Sequence, residues 1–263
     1  MRLLFWTALA SSITACGSGG GGEDVEAPAL APAPIPATPP PPAPTPAPPA
    51  PAPTPAPPAA SPAQGFWSGT VVAGTTGSAI VLPQGSSLLV LQTTAQTTMV
   101  IGTTSVTGSN FALAGRSFNL TTGTQAAYAS SGSVNPRQSL NFAAAGGTPA
   151  HSFAYNTAYE TPATAADATG RWRASIAGGT LTITLDVAST GNLTGTNTSG
   201  CNYTGSLAPV AGVAVYQLQL TEACTARTVQ YGGVATLNAA KTSLSIALAA
   251  TDLTTATLFT ATR

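Results

Sequence analysis

From residue 63 onward, apolar and polar positions alternate with a period of two. In TLTITLDVA, Leu181, Ile183, Leu185 and Val187 fall on one face, and Thr182, Thr184 and Asp186 on the other. SLSIALA repeats the pattern with Leu244, Ile246 and Leu248, and YQLQL with Tyr216, Leu218 and Leu220. SLLVLQ, TTMVIG, SFNLT and SLNFA supply further short runs before residue 145. Alternation of this kind places one face of a strand in a core and the other toward water. Clusters such as AGG, STGN, TSG and YGG separate the runs. Short strands broken by turn residues at regular intervals predict an all-β fold, an antiparallel sandwich or barrel. Threonine fills much of the outward face, which suits extended backbone.

One stretch departs from the period. In ETPATAADATG, Thr161 can cap a helix, Pro162 suits its first turn and Gly170 can end it. This predicts a single short helix or turn acting as a hinge. An internal repeat supports a boundary there. GFWSG begins at Gly65 and GRWRA at Gly170, 105 residues apart. Each opens a strand-rich run long enough for a core of its own. The expected organisation is a first β module over 63–161 and a second over 162–263, with Trp67 and Trp172 plugging one end of each. A Gly-x-Trp on a first strand resembles the opening of lipocalin- and avidin-like barrels.

Composition changes sharply upstream. Of the 23 prolines in the chain, 18 lie between Ala27 and Pro62, among alanines and a few threonines. Dense proline removes amide donors and fixes φ, so neither helix nor sheet forms. A disordered, semi-rigid polyproline II stalk is expected, with a reach on the order of 110 Å at about 3.1 Å per residue. Gly17 to Gly22 is a flexible tract before it.

The amino terminus carries an address. Met1-Arg2 is followed by a short apolar run from Leu3 to Ile13, well under the roughly 20 residues a spanning helix needs. It ends in Ile13-Thr14-Ala15-Cys16. That tetrad resembles the lipobox of bacterial lipoproteins. The resemblance implies a signal peptide over 1–15, removal before Cys16, and acylation of Cys16, with 16–62 as lipidated terminus and stalk. The alternative is an ordinary secretory signal ending at Ala15. Two or more acyl chains hold a protein stably on a bilayer, where one does not. With Gly17 after the cysteine, the family's sorting rule implies the outer membrane, on its periplasmic or cell-surface face.

Charge narrows the partners. Residues 63–263 hold seven basic and five acidic side chains, so no basic patch exists to neutralise phosphates, and nucleic acid is not an expected partner. The bilayer, through acylated Cys16, is an expected partner, along with an envelope or host protein. Cys201 and Cys224 both flank strands, and in an oxidising compartment a disulfide between them is expected. Only His151 could join them around a metal, too few ligands for zinc, so no metal or cofactor is expected.

No Gly-x-Ser-x-Gly elbow occurs, and the one histidine, His151, reads as a structural residue on the last strand of the first module. Asp167 lies close to it in sequence but sits in the expected hinge. Arg171 and Arg173 flank Trp172 on the opposite face and could grip an anion or simply solvate the surface. Tyr155 and Tyr159 could form a platform for a sugar or peptide, or pack against the module ends. Lipobox, stalk, Gly-x-Trp modules, YNTAYETPA, GCNYTG and the closing FTATR together resemble uncharacterised outer-membrane lipoproteins of proteobacteria. A remoter likeness is to transferrin-binding-type surface lipoproteins with β-barrel lobes. The expectation is a membrane-anchored, non-enzymatic binding or interaction protein. A barrel carrier of a small or iron-linked ligand is the alternative, and a hydrolase with a site assembled only in three dimensions is the second.

Overall fold

The computed structural model describes residues 59–70, 75–144 and 150–263; the signal, Cys16 and nearly all of the stalk lie outside them. Sixteen strands follow one another. The first eight are β1 (Gly65–Thr70), β2 (Thr76–Val81), β3 (Ser86–Gln92), β4 (Thr97–Thr107), β5 (Asn110–Asn119), β6 (Gln125–Asn135), β7 (Ser139–Ala144) and β8 (Ala150–Asn156). The second eight are β9 (Gly170–Ile176), β10 (Leu181–Val187), β11 (Asn192–Asn197), β12 (Asn202–Pro209), β13 (Tyr216–Ala223), β14 (Thr228–Leu237), β15 (Ser243–Ala250) and β16 (Ala256–Thr262). Each strand pairs antiparallel with the next, and each group of eight closes into a barrel. The expected all-β fold is therefore two up-and-down barrels in tandem. Closure is narrow in both. β1 meets β8 through Phe66↔Asn156, Trp67↔Tyr155 and Ser68↔Ala154, and β16 meets β9 at Thr262↔Arg173.

The period-two pattern decides which side of each strand is inside. Trp67, Leu89, Val100, Leu113, Leu140 and Phe153 fill the first barrel, and Trp172, Leu185, Leu207, Leu218, Leu244 and Ile246 the second. Outward positions carry Thr, Ser and Gln. A membrane barrel has the reverse polarity, apolar outside and polar within. Eight strands leave an interior that side chains can nearly fill. Glycine lets the sheet curl where strands crowd: Gly102 faces Gly115, and a Cβ on either would lie 2.2 or 2.1 Å from a carbonyl oxygen of the neighbouring strand.

The internal repeat is visible at atomic level. Gly65 and Gly170 both open their strands with left-handed φ values, 155° and 130°. Two residues on, Trp67 and Trp172 are fully buried, and each indole Nε1 donates to the carbonyl four residues earlier, Ala63 at 2.9 Å and Ala168 at 2.8 Å. A buried indole N–H needs such a partner. The environments then diverge: Tyr155 packs edge-on against Trp67 at 5.2 Å, whereas the Arg263 guanidinium lies 4.6 Å over Trp172.

The connector differs from the single capped helix expected. Thr157–Glu160 forms a 3₁₀ turn capped by Asn156, and a four-residue helix, α1 (Ala165–Ala168), is capped by Thr164. Thr161 and Pro162 lie between them, and Gly170 starts a strand. The residue before a proline avoids helical backbone, so the chain stays extended at Thr161 and a later threonine takes the cap.

Nor is the connector a hinge. Tyr159 is buried, donates to the Val81 carbonyl of the first barrel at 3.0 Å, and its own carbonyl accepts from Ala214 N–H of the second at 2.9 Å. Ala163 N–H donates to the Val213 carbonyl at 2.9 Å. The barrels also share an apolar face. Ile80, Leu88, Val90, Met99 and Ile101 point out of the first and pack on Val234, Ala247 and Leu258 of the second. That contact explains why β15 is buried on consecutive positions from Ile246 to Ala250, where a solvated strand would alternate.

Candidate functional site

Residues singled out by sequence fall in different places. Cys16 lies outside the described residues. Cys201 and Cys224 form a disulfide, with Cα atoms 4.2 Å apart. They stand one position beyond the Asn202↔Ala223 pair, so the bond staples β12 to β13 at their ends.

His151 lies on the inward face of β8, buried, 4.8 Å from the Phe142 ring and 6.2 Å from Phe153. Its Nδ1 has no hydrogen-bond partner, and burial holds its pKa below the usual imidazole value. Tyr128 OH and Ser130 Oγ, on the inward face of β6, are also buried without a bond of proper geometry. Asp167 does not orient the imidazole; its carboxylate takes the Lys241 ammonium at 2.5 Å.

Arg171 is committed to Asp186 in a two-pronged pair at 2.8 and 3.1 Å, both side chains largely exposed. Arg173 shares that outward face and the field of the same carboxylate. The Tyr155 hydroxyl donates to Glu160 at 3.1 Å, and Glu160 pairs with Arg137 at 3.1 Å. Tyr155 packs in a T-shaped contact with Trp67, and Tyr159, which is buried, does so with Phe66 at 5.1 Å.

The most chemically distinctive place is the mouth of the second barrel, at the end away from Trp172. A cavity of ≈ 160 Å³ opens there among Ile183, Leu185, Leu248 and Phe259. Into this apolar wall projects Glu222, whose side chain is only 11% exposed. Tyr203 lies directly across from it on β12 and donates to its Oε1 at 2.9 Å. Tyr231 on β14 donates to Oε2 at 3.3 Å. Asn197 Nδ2 donates in turn to the Tyr203 oxygen at 2.7 Å, and the Asn197 Oδ1 accepts from the Cys201 and Ser199 amides. Burial first, and the adjacent carboxylate second, push the Tyr203 phenol far above its ordinary pKa, so it stays a donor. Arg227 approaches from outside, its Nη2 3.6 Å from Oε2 and its side chain 64% exposed.

The disulfide belongs to this site. Both sulfurs and a Glu222 oxygen lie within 4.8 Å of one another. Bonded to each other, the cysteines have no thiolate to give a metal. What the arrangement can do is present a desolvated negative charge at the rim of an apolar pocket. A crevice between the barrels is larger, ≈ 400 Å³, but Ser, Thr, Gln, Asn and apolar side chains line it, with no charged group.

Sequence reading passed over Glu222, Tyr203, Tyr231 and Arg227. A signal was available. Tyr203 follows Cys201 by two and Glu222 precedes Cys224 by two, so a Cys201–Cys224 bond between antiparallel neighbours brings Tyr203 opposite Glu222. Comparison with protein-family models, with curated proteins and with solved structures finds no match for this chain. The described residues form a tandem-barrel protein whose second barrel has an acidic, apolar-walled mouth.

Proposed function

We propose that this is a lipid-anchored envelope protein, held by acylated Cys16 and a Pro/Ala stalk, whose fused barrels act as a non-enzymatic binding body. The observation that carries the binding reading is the second barrel's mouth. Charge is normally kept out of an apolar barrel, because burying it is costly unless it is partnered. Here the fold spends two tyrosines, an asparagine and a disulfide on fixing one carboxylate beside open space. Few, convergent polar groups in a mainly apolar pocket are the usual make-up of a small-ligand site.

The lipid anchor is supported by the tetrad ending at Cys16, and outer-membrane placement by Gly17 after it. The cavity also supports a second reading, in which the protein carries a small ligand as well as contacting an envelope or host protein.

Native mass spectrometry of the protein, extracted from its own membrane in mild detergent, tests the binding reading. The expected result is a retained small-molecule mass or a co-purifying partner that heating removes. The contrary result is a ligand-free chain that turns over a substrate, with the turnover abolished by His151→Ala at unchanged thermal stability.

A further inference from the structure

We propose that the mouth of the second barrel binds a small organic cation, a primary ammonium group on a short apolar body, with Glu222 as its counter-ion. The proposal rests on the binding reading above and names the ligand class for it.

The partners of Glu222 carry the argument. Within the barrel wall they are phenols, neutral donors at 2.9 and 3.3 Å, which orient the carboxylate without neutralising it. The one cation lining the cavity, Arg227, stands 3.6 Å away, beyond hydrogen-bond length, on a largely solvated side chain. At that length the pair makes no charge-assisted hydrogen bond, and the guanidinium keeps most of its own hydration. An ionised carboxylate has about four lone-pair sites, so acceptor capacity remains. An ammonium group brings three donors in a compact head, and it can reach Oε2 as Arg227 swings outward. Tyr231 and Phe259 also line the cavity, and aromatic rings attract a cation that comes to lie over their faces.

Size and sign limit the ligand further. The ≈ 160 Å³ cavity is well below the roughly 300–1,000 Å³ that drug-sized ligands occupy, so the apolar body is short. Ile183, Leu185 and Leu248 suit an alkyl chain. An anion entering the pocket would pass Arg227 and then meet the buried carboxylate, where the low dielectric strengthens repulsion.

The test is calorimetric titration, with amide chemical-shift mapping, of the full-length chain carrying Cys16→Ser, a position outside the described barrels. The probes are n-butylammonium chloride and sodium butyrate. The expected result is saturable binding of butylammonium, with shifts at Tyr203, Glu222 and Tyr231, and no binding of butyrate. Glu222→Gln should weaken it by about tenfold or more, since a charge-assisted contact becomes a neutral one. Arg227→Ala, which removes the competing cation at an exposed position, should tighten it.

Binding of butyrate instead, binding of neither probe, or an unchanged affinity in Glu222→Gln overturns the proposal. Should Glu222→Gln fail to fold, the probe comparison and Arg227→Ala still decide, because weaker ammonium binding in Arg227→Ala also overturns it. If the proposal falls while the membrane-extracted protein still carries a ligand or partner, only the ligand class is lost and the binding reading stands.

Discussion

His151 is one side chain on which stability near neutral pH depends. It is buried among phenylalanines with Nδ1 unpartnered, and burial lowers its pKa. The unfolded chain therefore binds its proton more readily than the folded one. Stability is full above the unfolded value near 6.5 and is lost as the pH falls below it, toward the depressed folded value. One proton can contribute at most about 1.4 kcal/mol per pH unit. Thermal melts at pH 7.5, 6 and 5 should show a falling Tm that His151→Phe flattens. The lowered carboxyl pKa values of Asp167, Asp186 and Asp252 act only in the more acid range, so they leave this window clear. A wild-type melt that is flat from pH 7.5 to 5 would show that the imidazole is not buried.

At the level of elements, two devices hold the second barrel's sheet in register, and the first barrel shares one of them. The Cys201–Cys224 bond closes 23 residues of chain and ties β12 to β13. Replacing both cysteines by alanine should cost about 3 kcal/mol, read as a lower denaturation midpoint that reducing agent reproduces in the wild type. The tryptophan at each barrel's entry is the second device. Trp172→Ala removes a fully buried side chain, its bond to Ala168 and the stacking of Arg263. A loss of about 3–5 kcal/mol is expected from chemical denaturation, typical of emptying a large aromatic site.

What the sequence discloses at this level follows from side-chain size. β10, β13 and β15 are legible because Leu and Ile mark every second position. β6 and β11 are not, since QAAYASSGSVN and NLTGTN carry few large apolar residues and take their register from their neighbours. Glu222 is hidden for a related reason. It continues the inward series of Leu218 and Leu220 on β13, and a charge there reads as the end of the strand. The disulfide was legible from the expected oxidising compartment and from placement beside strands, and the capping threonine of α1 was misplaced because Pro162 pushes the helix downstream.

For the whole molecule, the barrels have separate interiors and one shared outer face. Met99→Asp places a carboxylate in that face, at a fully buried position that points away from the first barrel's interior. A buried, unpartnered charge is strongly unfavourable, and each barrel keeps its own core. Scanning calorimetry should therefore show one cooperative transition in the wild type resolving into two in the variant. An unchanged single transition would mean that the shared face does not couple the barrels.

Fusion matters for the proposed role, because the expected Pro/Ala stalk would then present one body and not two loosely strung modules. In the proposed role, lipid on Cys16 holds that body to a membrane. Intact mass spectrometry of the mature protein from the membrane fraction, beside Cys16→Ser, tests it most directly. The predicted result is a chain beginning at Cys16 with the added mass of a diacylglycerol and an amino-terminal acyl group, and a variant that leaves the detergent phase. A mature chain without lipid mass, or a variant of normal mature mass that still partitions into detergent, would contradict it.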